Sequence, residues 1–478
     1  MKFFNNSIAV ILTTQVFATM SFAVLYSSLS LYLTNAFGYD ANSAYSIVAV
    51  FLVYNYGLHM LGSYLGGLLS SYRVLFLIAM VFQVVSCFIL AVPTETALYI
   101  GLTLFLVATG INVPCLNMMI TQRFQQEHVK REKYFIWNHA ASNLGFFAGY
   151  TAAGYYQLDN AYTSLFLVAS VFNVLGLVSI LIGWKAVADI DTPLTRFVKR
   201  HGVKALNKRY ALLFSIFVAM TGIVFVSLLY PVSLKQAVLA VSVAFVVFFL
   251  WLANKQQDRQ DRSNMRLYVV LALFAIVFWS MYYLAPMGIT IFMQHNVNME
   301  LFGFRLTPQW LGNINIVIIV LGGVLLPSVF AKIRRKTNLT VPKQFLIGII
   351  SIAIGLSFLP VGIMLANANG QSSVLWVSLF FVFQSIGELM ISPIGYSMIA
   401  QLAKPKHQGL MMGVWMLLTG STASVVSSYL SGTVEIDASG ANAIAMNDSY
   451  LMLFGVLAVI GFVVAFALMM IIKKWIHR

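Results

Sequence analysis

One carboxylate in the middle of a long apolar run is the group in this sequence best placed to do chemistry. Glu388 stands within FQSIGELMISPIGYSMIAQL, and none of the other Asp and Glu residues, 14 in all, lies so deep in an apolar segment. A charge in the centre of a membrane span costs about 2.5–3.5 kcal/mol on insertion scales, so such a residue is expected to line a cavity rather than face lipid. Two roles are open to it. It can be a protonated acid hydrogen-bonded between helices, or a group that exchanges a proton or binds a cationic amine. The second is the usual role of an ionisable residue at this depth. One turn later comes Ser392-Pro393-Ile394-Gly395. Proline removes a backbone donor and frees carbonyls that can line a cavity. Gly409, Gly413 and Gly420 follow, and glycines at such spacing let helices pack closely. Trp415, between the last two, is either a cavity wall or bilayer packing. The amides Asn313, Asn315 and Asn143 also fall in apolar segments, where each needs a partner, either a neighbouring helix or a substrate.

Other chemistries find no support. There is no G-x-x-x-x-G-K-[ST] loop for ATP and no metal-ligand spacing. The seven His are scattered, with His139 and His295 at span ends and His59 inside a span. No hydrolytic triad can be assembled, because Glu388 has no acidic companion at its depth. We therefore expect no enzyme activity, no cofactor and no metal. Cys87 and Cys115 both lie in apolar segments and read as buried small residues without a disulfide.

The elements that must carry these residues are membrane helices. Hydrophobic residues make up 60% of the chain, charged residues 9%, and mean hydropathy is +0.86. Soluble chains carry about 25% charged residues. Apolar runs close to the ~20 residues that cross a bilayer as helix recur at about 8–33, 44–70, 74–93, 97–121, 135–156, 162–184, 211–230 and 236–253. Six more follow at about 268–293, 309–331, 344–366, 374–401, 408–431 and 449–472, fourteen in all. The first looks superficially like a secretory signal, but it runs on through Leu33 and reads as an uncleaved span. All but two of the 29 Lys and Arg, Lys235 and Arg305, fall in loops on one side. By the positive-inside rule both termini are cytoplasmic. The net charge of +15 is thus topological, and nucleic acid is not an expected partner.

The longest cytoplasmic connection, Lys185 to Arg209, precedes an extra pair of spans that ends at a second charged loop, Asn254 to Asn264. The expected parse is a six-helix bundle over 1–190, a linker with an inserted two-helix hairpin over 191–266, and a second six-helix bundle over 267–478. That is an all-α integral membrane protein of the major facilitator plan, with its site expected near mid-membrane.

Four stretches resemble the proton-dependent oligopeptide transporter family. GELMISPIGYSMIAQLAKPKHQGLMMGVWML is similar to that family's GE-L--SP-G-S pattern and MMG-W stretch. FGFRLTPQWLGNINIVIIVL, YFIWNHAASNLGFFAG and FWSMYYLAPMGITIFMQHNVN resemble its eighth, fifth and seventh spans. The resemblance implies that Glu388 contacts the amino terminus of a substrate, with Asn315, Asn143 and Trp415 nearby. It puts Tyr56 at a substrate-contacting tyrosine, with His59 in place of the proline that follows. His59 is then an extra titratable group or a packed neutral ring. The departures are as informative. The first-span E-x-x-E-R signature falls on Gln15-Val16-Phe17-Ala18-Thr19, the fourth-span lysine on Val113 and the seventh-span carboxylate on Tyr283. A free substrate carboxylate would meet no cation here, a serious cost in low dielectric.

The expected function is secondary active transport of small peptides or peptide-like amines by alternating access, proton-coupled through Glu388, with His59 as a second candidate. Gln15, Tyr56, Tyr283, Asn143, Asn315 and Trp415 would shape a mostly neutral, aromatic pocket. The alternatives are a proton-independent exchanger or exporter of a non-peptide amine, or a non-transporting receptor or scaffold with a transporter fold. The expected partners are substrate, protons and the bilayer. We expect a monomer in the cytoplasmic (inner) membrane.

Overall fold

The computed structural model describes residues 6–124, 128–202, 205–336, 340–402, 405–434 and 443–476. Within these, the side chains of 60, 128–132, 324–336, 393–394, 396–397, 400–402, 405–409 and 474–476 lie outside the described set. The chain runs through α1 (Ser7–Phe37), α2 (Ala41–Leu65), α3 (Tyr72–Leu90), α4 (Glu95–Arg123), α5 (His128–Gln157) and α6 (Tyr162–Ile182). A short helix, α7 (Pro193–His201), then precedes α8 (Leu206–Leu229) and α9 (Pro231–Asn254). There follow α10 (Arg259–Tyr282), α11 (Thr290–Asn296), α12 (Pro308–Lys336), α13 (Val341–Met364) and α14 (Val374–Leu402). The last are α15 (Pro405–Met416), α16 (Ala423–Ser431) and α17 (Ala443–Ile476). All fourteen expected spans fall on helices. Among the described residues twelve helical segments are long and apolar enough to cross a membrane. The exceptions are α5, whose middle carries Asn138, His139, Ser142 and Asn143, and α12, apolar over Pro308–Gly323.

Two of the spans are interrupted. α10 and α11 make one span, joined by a π-helical turn at Ala285–Ile289 and broken at Met287 (φ −118°, ψ −107°). Pro286 explains the break, since it cannot donate to the preceding turn. A backbone donor left by such a break needs a new acceptor at membrane depth. The Gly288 amide finds one in the Ser431 hydroxyl, 3.2 Å away. A second π-helical turn, Leu417–Thr422, joins α15 to α16. Four two-residue strands complete the structure: β1 (Val297–Asn298) pairs in parallel with β4 (Ser372–Ser373), and β2 (Glu300–Leu301) pairs antiparallel with β3 (Phe304–Arg305).

The chain forms two compact units, one of residues 1–37 and 50–231, the other of 38–49 and 232–478. In the first, α1 lies along α5. A Cβ on Gly145 would sit 2.5 Å from the Val16 carbonyl and 2.7 Å from Thr19 Cβ; one on Gly149 would sit 2.5 Å from the Met20 carbonyl. Small residues four apart, Gly145 and Gly149, are what allow backbones to approach this closely. Polar side chains tie further helices together. Asn173 of α6 donates to Ser21 (2.7 Å) and to the Cys87 sulfur (3.4 Å). Cys87 and Cys115 are buried and free.

The linker after α6 straps the ends of α3 and α4. Arg73 donates to the Trp184 carbonyl (2.8 Å) with its guanidinium 4.6 Å from the Trp184 ring centre, and Arg123 donates to Ala186 (2.7 Å) and Ala188 (3.2 Å). The Tyr72 amide, at the start of α3, donates to Asp189 (3.0 Å). Burial raises the Asp189 carboxyl above its ordinary range, outweighing the Tyr72 amide and the charges of Arg73 and Arg123. A carboxyl that holds its proton more tightly folded than unfolded adds stability as pH falls through the raised value, and loses that gain above it. The melting temperature of Asp189→Asn should therefore respond less to acidification than that of the wild type. The difference between the two thermal-shift curves isolates this group. A parallel pair of curves would mean that Asp189 titrates as an ordinary surface carboxylate.

In the second unit, α13 packs along α14 and α17, and α9 meets α10 through Phe249, whose ring centre lies 5.5 Å from that of Tyr268. The loop position expected for Lys235 is corrected: α9 begins at Pro231, and Lys235 is buried within its second turn.

Candidate functional site

α14 carries the carboxylate. Gly387, beside it, is what brings α14 against α13: a Cβ there would lie 2.9 Å from the Gly348 carbonyl and 2.7 Å from Phe278. Glu388 is half-buried and accepts from Asn315 Nδ2 at 3.0 Å and from the Tyr282 hydroxyl. Asn315 gives its other amide hydrogen to Ser385 Oγ at 3.0 Å, and Ser385 in turn donates to the Phe381 carbonyl at 2.6 Å. Both donors of the Asn315 amide are thus directed at α14, one turn apart, and the amide is fixed. Among the described residues no Lys, Arg or His pairs with Glu388. The carboxylate is therefore held by neutral donors on one side and keeps the capacity to accept a proton or an ammonium.

An aromatic group stands beside it. Tyr282 and the neighbouring Tyr283 pack on Trp279, with ring centres 4.9 Å and 5.9 Å away. Gln384 donates to the Tyr282 carbonyl at 3.1 Å, which pins the end of α10 to α14. Tyr283 itself is 2% exposed and caps α10. Asn313 is half-buried two residues before Asn315 on α12. Trp415 is elsewhere. It is buried against Gly395, with ring centres of Phe345 and Tyr268 at 6.2 Å and 6.4 Å. Gly395 is about 10 Å along α14 from Glu388 at 1.5 Å rise per residue. Trp415 is a core residue of this unit. The side chains of Pro393 and Gly409 lie outside the described residues.

In the first unit the structure gathers a different set. Gln15, 5% exposed, donates to Thr19 Oγ1 at 2.8 Å, and Thr19 meets Ser142 of α5 at 3.4 Å. Gln15, Thr19, Phe22 and Tyr26 follow one another at helical spacing along one face of α1. Phe146 and Tyr150 of α5 complete that face: Phe22 meets Phe146 edge-on at 5.9 Å, and Tyr26 stacks on Tyr150 at 6.4 Å. The face consists of amide, hydroxyl and aromatic groups, with no charged side chain of its own. Asn143 instead turns back on its own helix, donating to the His139 carbonyl at 2.9 Å. Tyr56 and His59 of α2 meet edge-to-face at 6.4 Å. Ser385, Tyr282, Phe22, Tyr26, Phe146 and Tyr150 were not among the residues expected from sequence. The 15-19-22-26 spacing on α1 was the signal available for two of them.

The family model of the POT family matches residues 45–446. The dipeptide and tripeptide permease A of Chromobacterium violaceum is 25% identical over 95% of this chain and 90% of its own length. The dipeptide and tripeptide permease B of Xenorhabdus bovienii is 24% identical over 94% of this chain and 91% of its own. Among solved structures, a peptide transporter POT in complex with sulfate superposes with TM-score 0.83 at 17% identity, covering 98% of this chain and 94% of its own. A POT family transporter in complex with 5-aminolevulinic acid superposes with TM-score 0.78 at 20% identity, covering 96% and 95%. The fold is that of these membrane transporters, and the chain belongs to the POT family, as a member without the first-span E-x-x-E-R signature.

Proposed function

We propose that this protein moves short peptides or peptide-like amines across the cytoplasmic membrane by alternating access, coupled to protons through Glu388. The observation that carries the reading is the Glu388 carboxylate, held in an apolar helix by Asn315 and Tyr282 without a cationic partner among the described residues. Protonation neutralises it and favours one gate state. Loss of the proton, with an ammonium group taking its place, favours the other. The permease relatives support a peptide-like substrate. The loop charges support cytoplasmic termini, and the protein works as a monomer in this reading.

The neutral face of α1 narrows the substrate. Gln15 and Thr19 stand where the family has ionisable groups, and they bind each other and Ser142. A free carboxylate gains no ion pair from them, so an amine with a capped or absent carboxylate is the better fit. In proteoliposomes under an inward proton gradient, capped peptides and simple amines should be taken up at least about tenfold better than free dipeptides, the effect of one unmatched polar contact. A panel in which free dipeptides win would reverse the substrate preference and leave the transport reading intact. Binding of every member with flux of none would favour the receptor alternative.

A further inference from the structure

We infer that Lys235 is a releasable clasp on the first two turns of α2, a positioning residue for gating that lies outside the Glu388 site. The side chain is 4% exposed. Its ammonium donates to Ser46 Oγ of α2 at 2.8 Å and to Ser428 Oγ of α16 at 3.3 Å, and lies 4.2 Å from the ring centre of Tyr429. Those contacts use all three of its directions. Among the described residues no carboxylate pairs with it. One buried cation therefore joins α9, α2 and α16, and all three contact points belong to the same compact unit.

An unpaired buried ammonium is a poor choice for a permanent joint. Taking the charge out of water is costly, and two hydroxyls and a ring repay only part of that cost. The Ser46 hydroxyl does not depend on it either, since it already donates to the Asn42 carbonyl at 2.9 Å. An apolar side chain of equal length would fill the space without the desolvation cost. What the lysine adds is a closed arrangement that water can undo, because hydration returns the cost once the end of α2 moves away. The neighbouring contacts are consistent with a movable end. Asn42 rests against Gly432, where even a methyl group would collide with its side chain, so the two surfaces fit without being bonded by charge.

The test reads opening directly. Ala44, two residues before Ser46 in α2, is fully buried, so a cysteine placed there reacts with maleimide only when this end of α2 opens. Cys87 and Cys115 are buried, and the protein without the added cysteine corrects for them. In nanodiscs, Lys235→Met on the Ala44→Cys background should label at least about fivefold more slowly than its parent, with an equal or higher melting temperature, as expected when a buried charge is replaced by an apolar group. Lys235→Arg, too large for the same three partners, should label faster. Equal or faster labelling of the methionine variant overturns the clasp, as does a lowered melting temperature, which would make Lys235 an ordinary structural residue. The labelling result stands whether or not the transport reading holds. The linked expectation, a lower maximal uptake rate at unchanged KM for Lys235→Met, rests on that reading and fails separately.

Discussion

Glu388→Gln should lower gradient-driven uptake by at least about a hundredfold, the scale on which loss of a proton-exchanging side chain is felt. Gln has nearly the same shape and keeps an oxygen for Asn315 Nδ2 and for the Tyr282 hydroxyl, so stability should change by no more than about 1 kcal/mol. What it lacks is the ability to alternate between a charged and a neutral form. Uptake should therefore become indifferent to the proton gradient, while exchange between loaded vesicles and outside substrate survives in part. Asn315→Ala is the complementary variant. It leaves a half-buried carboxylate with one donor fewer and frees Ser385, at a cost of about 1–3 kcal/mol. Its uptake should shift in pH dependence rather than vanish. Gradient-driven uptake by Glu388→Gln at the wild-type rate would make Glu388 structural and turn attention to exchange or export.

The largest effect on the fold is expected at Gly149. Its α-carbon faces the Met20 carbonyl and Ala23 Cβ, with 2.5 Å and 2.6 Å left for any added atom. Those neighbours are backbone and a methyl group, which cannot rotate away. Gly149→Leu must separate α1 from α5 along their length, and a cost of about 3 kcal/mol or more is expected, at the upper end for overpacking. That is a large share of the roughly 5–15 kcal/mol by which a protein is stable. Gly145→Leu should act in the same way and also pull Thr19 from Ser142. The measurement is the melting temperature in detergent together with the monodisperse yield; a fall of less than a few degrees for either variant would mean that the α1–α5 contact is loose.

How much of this was legible in the sequence differs by element. Spans were readable because lipid demands long apolar runs and the loops between them carry the Lys and Arg. Glu388 was readable for the converse reason, as a charge that has no business in such a run. Its partner Asn315 was named, whereas Ser385 and Tyr282 were not: a Ser and a Tyr in an apolar helix are unremarkable until the fold turns them toward a carboxylate. Trp415 was ambiguous in sequence and is a core residue, because Gly395 leaves a notch for its indole on the neighbouring helix. The short helix α7 was missed inside a charged linker. Its markers were present, with Thr192 accepting from the Thr195 amide at 3.2 Å, Pro193 opening the helix and Gly202 ending it at φ +78°. Lys235 was assigned to a loop because a lysine near a span end ordinarily reaches for water. Only three-dimensional packing shows it turned inward.

The π-helical turn at Leu417–Thr422 also sets the register of the helix that follows it. A π turn holds one residue more than the α-helix it interrupts, and so absorbs an extra residue without breaking the helix. Each residue of an α-helix turns the chain by about 100°. Without the wider turn that extra residue would rotate all of α16 by about that angle relative to Trp415 in its notch, carrying Ser428 away from Lys235 and Ser431 away from the Gly288 amide. Two polar contacts thus depend on one unit of length rather than on the identity of any side chain. Comparisons of related chains that score substitutions alone would pass over the position that matters most for them.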